Sequence, residues 1–80
     1  MPCIKIIDSI KLYVYANDHN PPHFHAIYAE FEELIIIESL ETYTGHIPKT
    51  QRKKVIDWAS NKQEFIMKQW KRLNLSLIHI

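Results

Sequence analysis

The residues of this chain best suited to chemistry are its histidines. Three of the five lie within seven residues, at positions 19, 23 and 25, and two consecutive prolines stand between the first and the second. If a strand begins beside Phe24, His23 and His25 share one of its faces while Phe24 points to the other, because side chains alternate along a strand. The sequence therefore predicts a pair of imidazoles on one side of a sheet, with His19 on the loop that leads to them.

Three interpretations of this cluster remain open from the residues alone. Imidazoles exchange protons near neutral pH, so one of the pair His23 and His25 can act as a base while the other acts as an acid. The same pair offers two ligands to a divalent metal, with Asp18 or His19 as a third ligand. In the third interpretation the rings only hydrogen-bond loop carbonyls and fix the entrance to the strand. The prolines restrict the loop and can hold Asp18 or His19 near the pair.

The charges of the chain are divided unevenly. Residues 1–47 hold two basic and seven acidic side chains, a net charge of −5, whereas residues 48–80 hold eight basic and two acidic ones, a net charge of +6. Such a division is typical of a face that binds nucleic acid or an acidic partner, although a solvated helix face gives the same pattern. The basic face predicted on the second half consists of Lys53, Lys54, Lys68, Lys71 and Arg72.

The first half of the chain reads as short strands. Apolar residues alternate with polar ones and tyrosines over residues 10–16, and Tyr13 and Tyr15 share a face on which bases can stack, although solvent-side tyrosines are common in sheets. Further strands are predicted at residues 4–7, 24–29 and 33–37, near Thr44 and in the tail, residues 75–80. Gly45 is the only glycine. We expect it at a position that needs positive φ or a close backbone approach.

The second half predicts one long helix over residues 48–73, with Pro48 in its first turn. Its apolar arc spans about 200°, more than the ~100° that a helix on a sheet requires, and Trp58 and Phe65 flank it. Lys62 falls inside that arc. Either its side chain extends outward to solvent, or the helix breaks near Ser60 and Asn61, where Ser60 can cap a second helix.

These elements define an α+β fold: a small antiparallel sheet of about five strands, mostly hairpins, with one long C-terminal helix on one face. Eighty residues form one domain, 1–80, with ordinary globular composition. The longest aliphatic run, residues 34–37, is far too short to span a membrane. The absence of a leader-like start and the single cysteine, Cys3, predict a cytoplasmic protein.

The segment Asp18-His19-Asn20-Pro21-Pro22-His23-Phe24-His25-Ala26 resembles the hallmark of a bacterial family, the domain-of-unknown-function family 4160. The turn Gly45-His46-Ile47-Pro48, the helical pattern Val55-Ile56-Asp57-Trp58-Ala59 and Trp70 are also similar to that family, with Ile47 where leucine is usual. The resemblance implies a cytoplasmic protein encoded beside a second small domain, as the toxin-like half of a toxin–antitoxin-type pair. It gives weight to the aspartate and histidines without assigning their chemistry.

The leading hypothesis is a toxin-like, growth-inhibiting protein that acts on RNA or on translation without a cofactor. His23 and His25 serve as base and acid, Asp18 orients one ring and His19 assists. The basic helix face attracts phosphates. A small acidic antitoxin-like partner covers that face and blocks the substrate.

Two other functions fit the same sequence. In a non-catalytic interaction domain, Trp58 and Phe65 dock a partner protein or a second copy, and the histidine loop is scaffolding. In a metal-binding module, His23 and His25 hold a divalent cation.

Overall fold

The structure, a computed structural model, describes residues 3–16 and 19–74, and the predicted tail strand lies outside them. Five strands form one antiparallel sheet in which each strand pairs with the next along the chain, and two helices follow. The strands are β1 (Cys3–Ile7), β2 (Ile10–Tyr13), β3 (His23–Tyr28), β4 (Phe31–Ile36) and β5 (Thr42–His46). The helices are α1 (Lys49–Ala59) and α2 (Gln63–Leu73). The predicted α+β class and antiparallel sheet are confirmed.

Two hairpins of the sheet turn within two residues. Asp8 and Ser9 join β1 to β2, and Ala29 and Glu30 join β3 to β4. Asp8, Ser9 and Ala29 have φ values of 46°, 70° and 53°. Positive φ lets so short a turn follow the twist of the paired strands. These tight turns fix the register of both hairpins.

The core lies between one face of the sheet and the two helices. Strand alternation directs Leu12, Phe24 and Ile35 into it, where the helices bury Val55 and Trp70. The full core also includes Ile10, Val14, Ala26, Ile37, Ile47, Ala59 and Ile66. The residues that alternate with the core positions face away from the helices. We call that surface the open face; it carries Lys11, Tyr13, His23, His25, Ile27, Glu32, Leu34 and Thr44.

The prediction of one long helix is wrong, because the chain turns between Ala59 and Gln63. The Ser60 hydroxyl and the Asn61 amide donate to the main-chain oxygen of Asp57, at 3.0 and 3.4 Å, and so compete with continuation of the helix. Ser60 does not cap α2 either; Lys62 precedes it without a side-chain cap. The break explains the wide apolar arc, since two helices each present their own apolar side to the sheet.

Gly45 has the backbone conformation and the close backbone neighbour that were predicted for it. Its φ is +77°, and an added Cβ would overlap the main-chain oxygen of Glu32 on the neighbouring strand. Both reasons for a glycine, positive φ and close backbone approach, are therefore confirmed at this residue.

An ion pair between the buried Glu33 of β4 and Arg52 of α1 connects this helix to the sheet. Glu33 is 1% exposed, and it accepts hydrogen bonds from Arg52 Nε at 2.8 Å, the Ile47 main-chain nitrogen at 3.1 Å and the Thr42 hydroxyl. Burial raises the pKa of the Glu33 carboxyl, but the bonds from Thr42, Arg52 and Ile47 and the guanidinium charge together hold it below its usual value. Arg52 also donates to the Leu40 oxygen.

Within the described residues no helix is both long and apolar enough to span a membrane.

Candidate active site on the open sheet face

The three clustered histidines meet on the open face. The ring centroids of His23 and His25 are 5.2 Å apart, and those of His19 and His23 are 5.8 Å apart. The alternation of β3 produces this arrangement, because it sends Phe24 into the core and both flanking imidazoles to the other side. The expected shared face is therefore present, and the proline loop brings His19 beside it.

His23 lies at the centre of the cluster and has no exposed surface. Its Nδ1 lies 2.7 Å from the main-chain oxygen of Pro21, which can only accept, so Nδ1 carries the proton of this bond. The ring also lies beside Tyr43, with centroids 5.6 Å apart. A substrate cannot touch a ring enclosed in this way, so His23 is suited to holding its neighbours in place.

His25 is paired with a carboxylate that the sequence analysis did not single out. Its Nδ1 lies 2.9 Å from Glu32 Oε2, and the side chains are 13% and 48% exposed. In the ladder His25 faces Leu34, so Glu32 is its diagonal neighbour on the same face. A carboxylate in this position orients the imidazole and stabilises the imidazolium that forms when the ring takes up a proton.

Tyrosines border the cluster on two sides. The rings of Tyr13 and Tyr15 stack with centroids 5.9 Å apart and planes inclined by 24°, and Tyr15 meets His25 edge-on at 4.3 Å. On the other side lies Tyr43, which is 42% exposed and whose ring centroid is 6.2 Å from that of His19. The open face thus combines proton-transfer groups with flat aromatic surfaces that can stack on bases.

Asp18, the other residue predicted for this site, lies outside the described residues. Among those that are described, no group of three potential ligands is arranged to hold a metal ion.

The predicted basic face is divided between the two helices. On α1, Lys53 pairs with Asp57 at 3.1 Å and Lys54 pairs with Asp8 at 2.8 Å. The hydrogen bond and the charge of Lys54 hold the pKa of Asp8 below its usual value. On α2, the cations are exposed: Lys68, Lys71 and Arg72. Both helices pack on the core face of the sheet, so the structure does not bring these residues and the imidazoles onto one surface.

Trp58 and Phe65 lie together across the break between the helices. Their ring centroids are 6.5 Å apart with planes at 87°. With Ile4, Lys5 and Lys62 they line a shallow cavity of about 250 Å³, which we call the apolar groove. The two aromatic residues that were predicted to flank the helical apolar arc are therefore neighbours, beside the edge strand β1.

Glu32 and Tyr43 are the site residues that sequence reasoning missed. A signal for Glu32 existed, because a two-residue turn at residues 29–30 sets a register in which it lies diagonally across from His25. No comparable signal marks Tyr43, which stands where the pairing of β4 with β5 is irregular.

The class of fold is thus a five-stranded antiparallel sheet with two helices on one face and imidazoles on the other. The model of one family, described as Domain of unknown function (DUF4160), matches residues 9–71. Because this match covers most of the chain, the chain belongs to that family. No curated protein and no solved structure matches it.

Proposed function

We propose that the open face cleaves RNA by metal-independent acid–base catalysis, as the growth-inhibiting, toxin-like half of a two-gene bacterial module. One observation carries the proposal: three imidazoles gather on one face, and one of them is paired with a carboxylate. Base, orienting carboxylate and acid are the groups that transfer of a phosphoryl group from one hydroxyl to another requires.

In this mechanism His25 is the base and His19 the acid. With Nδ1 bonded to Glu32, Nε2 of His25 takes the proton of a ribose 2′-hydroxyl, whose oxygen then attacks the adjacent phosphorus. The bond from phosphorus to the 5′ oxygen breaks, and protonated His19 gives that oxygen its proton. The products are a 2′,3′-cyclic phosphate and a free 5′-hydroxyl, so protons and bonds balance without a metal.

This mechanism gives His23 a different role from the one predicted from the sequence, in which His23 and His25 were the base and the acid. That ring is fully buried, and its Nδ1 is bonded to the main-chain oxygen of Pro21. The centroids of His19 and His25 are at most about 11 Å apart, given their separations from His23. A scissile phosphate can lie between them while His23 positions both rings. Asp18 remains a predicted orienting residue.

Substrate binding in this proposal uses groups of the open face itself. Tyr13 and Tyr15 present stacked rings next to His25, and stacking on aromatic rings contributes about 1–3 kcal/mol per base. Lys11, which is exposed two residues before Tyr13 and on the same face, supplies a cation for the phosphates. These features favour single-stranded RNA, whose bases are free to stack. Such an activity would inhibit growth in the cytoplasm.

The rival interaction-domain function rests on the apolar groove and assigns the histidines a structural role. The two functions predict opposite mutant phenotypes. Under the catalytic proposal, replacing His19 or His25 abolishes growth inhibition, whereas under the rival function only changes at Trp58 or Phe65 do so.

The test combines induced expression in a bacterial host with cleavage of a fluorescent single-stranded RNA in the presence of a chelator. We expect His25→Ala to lower the cleavage rate by about 10²–10⁴-fold, as loss of a general base does. Glu32→Gln should lower it by about 10–100-fold, since a hydrogen bond to a charged group contributes about 1.5–3 kcal/mol.

Glu64→Gln is the matched control for Glu32→Gln, because Glu64 is an exposed glutamate of α2, on the other side of the sheet from the imidazoles. A second control is the same oligonucleotide with every 2′-hydroxyl methylated, which this mechanism leaves intact. A folded His19→Ala/His25→Ala protein that still inhibits growth and still cleaves RNA would refute the proposal.

A further inference from the structure

We infer that the apolar groove binds an acidic peptide segment of a partner protein, anchored by one large apolar side chain. This surface is separate from the open face, because the groove is formed by β1 and the helices. The inference is therefore independent of the proposed RNA cleavage.

Two aromatic side chains make the groove apolar. Phe65 is 42% exposed, which is unusual for so large an apolar side chain, and Trp58 meets it at a right angle. Two perpendicular rings form a notch into which a side chain can insert. They do not form the flat platform on which a nucleobase stacks, so the geometry favours a peptide over RNA.

The side chains at the rim of the groove are positively charged. Lys5, from β1, and Lys62, from the junction between the helices, both line the cavity. Along α2, Lys68 and Arg72 follow Phe65 at spacings of three and seven residues, which continues the same stripe of the helix, and both are exposed. The nearest acid in sequence, Glu64, lies about 100° away around that helix.

These four cations differ from the lysines of α1 in their pairing. Lys53 and Lys54 each have an aspartate partner, Asp57 and Asp8. Neither the two that line the groove nor the two that follow Phe65 along α2 form an ion pair with another residue in ranges 3–16 and 19–74. Cations without counterions among the described residues, beside an apolar notch, are complementary to a segment that carries carboxylates around an apolar anchor.

The edge of β1 offers a second mode of binding, addition of a partner strand, but its features oppose that mode. The strand has an irregularity between Cys3 and Lys5, and a bulge and a lysine both discourage edge pairing. Recognition through side chains in the groove is therefore the mode we propose.

The experiment selects short random peptides, displayed on phage, against the full chain. We expect the recovered peptides to carry Asp and Glu around a Trp, Phe or Leu. A synthetic peptide of the recovered sequence, labelled with fluorescein, should bind about tenfold more weakly to Phe65→Ser and to Lys62→Glu/Lys68→Glu. Its affinity should also fall as salt is added.

Lys53→Glu is the matched control, since this lysine is also exposed but pairs with Asp57, and neither residue lines the groove. Circular dichroism establishes that each variant is folded, and the double lysine variant changes only exposed positions. Failure to enrich acidic peptides, or equal binding by Phe65→Ser, would overturn the inference.

Two other results would also overturn it by assigning the groove a different occupant. One is a dimer in sedimentation analysis that Phe65→Ser dissociates, which identifies the occupant as a second copy. The other is an oligouridine probe whose binding requires both Phe65 and Lys62 while the peptides do not bind. Neither result bears on cleavage at the open face.

Discussion

Glu32 and Glu33 follow one another in β4, and strand alternation sends their carboxylates to opposite faces of the sheet. Glu32 reaches His25 on the open face, whereas Glu33 is buried against Arg52, Thr42 and the Ile47 main chain. One residue thus belongs to the candidate site and its neighbour to the scaffold.

The buried carboxylate predicts how stability depends on pH. Because the pKa of Glu33 is lower in the folded chain than its usual value of 4.5, its stabilising contribution is present above about pH 4.5 and is lost as the pH falls through the folded pKa. Glu33→Gln should lower the free energy of unfolding at neutral pH by about 2–3 kcal/mol. That is below the ~3–5 kcal/mol typical of a broken buried pair, because Arg52 is 33% exposed.

Urea denaturation at several pH values measures this effect. The native chain should lose stability on acidification more steeply than Glu33→Gln, since the variant has no carboxyl to protonate at that position. Glu41→Gln, at an exposed position, is the control and should keep the native slope. An unchanged slope in the Glu33 variant would show that this carboxylate does not govern the acid response.

At the scale of elements, the junction between the helices determines where α2 lies. Gln63, the first residue of α2, donates through Nε2 to the main-chain oxygens of Ile37 at 2.9 Å and Glu38 at 2.8 Å. These bonds hold the start of the second helix against the end of β4. They also satisfy carbonyls of a turn that has no sheet partners in the described structure.

Gln63→Ala should therefore lower the free energy of unfolding by about 1–2 kcal/mol, from the loss of two hydrogen bonds to carbonyls that are partly accessible to water. Thermal or urea denaturation measures it. Gln51→Ala, a half-buried glutamine of α1, provides the comparison and should have a smaller effect. Equal losses in the two variants would mean that the bonds to the turn do not stabilise the junction.

The strands were largely predictable from the sequence, because alternation and tight turns are local signals. The same periodicity correctly placed His23 and His25 on one face and Phe24 in the core. The sequence predicted one long helix, with a break near Ser60 and Asn61 only as an alternative. It could not decide between them, because the break also involves bonds from Gln63 to a turn 25 and 26 residues away in sequence. The partnership of Glu32 with His25 depends on strand register, and the burial of His23 depends on Tyr43, which comes from another strand.

At the scale of the whole molecule, Asn74 connects the helical layer to the border of the open face. It is 1% exposed at the end of α2, and its amide donates to the main-chain oxygens of Tyr15 and Trp70, both at 2.9 Å. Tyr15 in turn packs edge-on against His25. A residue on the far side of the sheet from the imidazoles thereby helps to position an aromatic ring beside them.

Asn74→Ala should lower the free energy of unfolding by about 1–3 kcal/mol, because buried carbonyls lose their donor. It should also increase amide hydrogen exchange at Tyr15 and Ala16, which follow β2, more than at residues within the strands, since local opening there becomes easier. Asn61→Ala removes a comparable amide bond at an exposed position and should leave exchange at those residues unchanged. Unaltered exchange at Tyr15 in the first variant would exclude this long-range role.

The opposed carboxylates of β4 also decide where the chain tolerates added length. Shifting β4 by one position would exchange its outward and inward side chains, so that, depending on the direction, either Arg52 would lose its counterion or His25 would lose its carboxylate partner. The two-residue turn at Ala29 and Glu30 sets this register, so residues inserted there would endanger both contacts. A fluorophore or affinity tag attached instead at an exposed residue of α1, such as Thr50, would report on the protein while leaving both carboxylates in place.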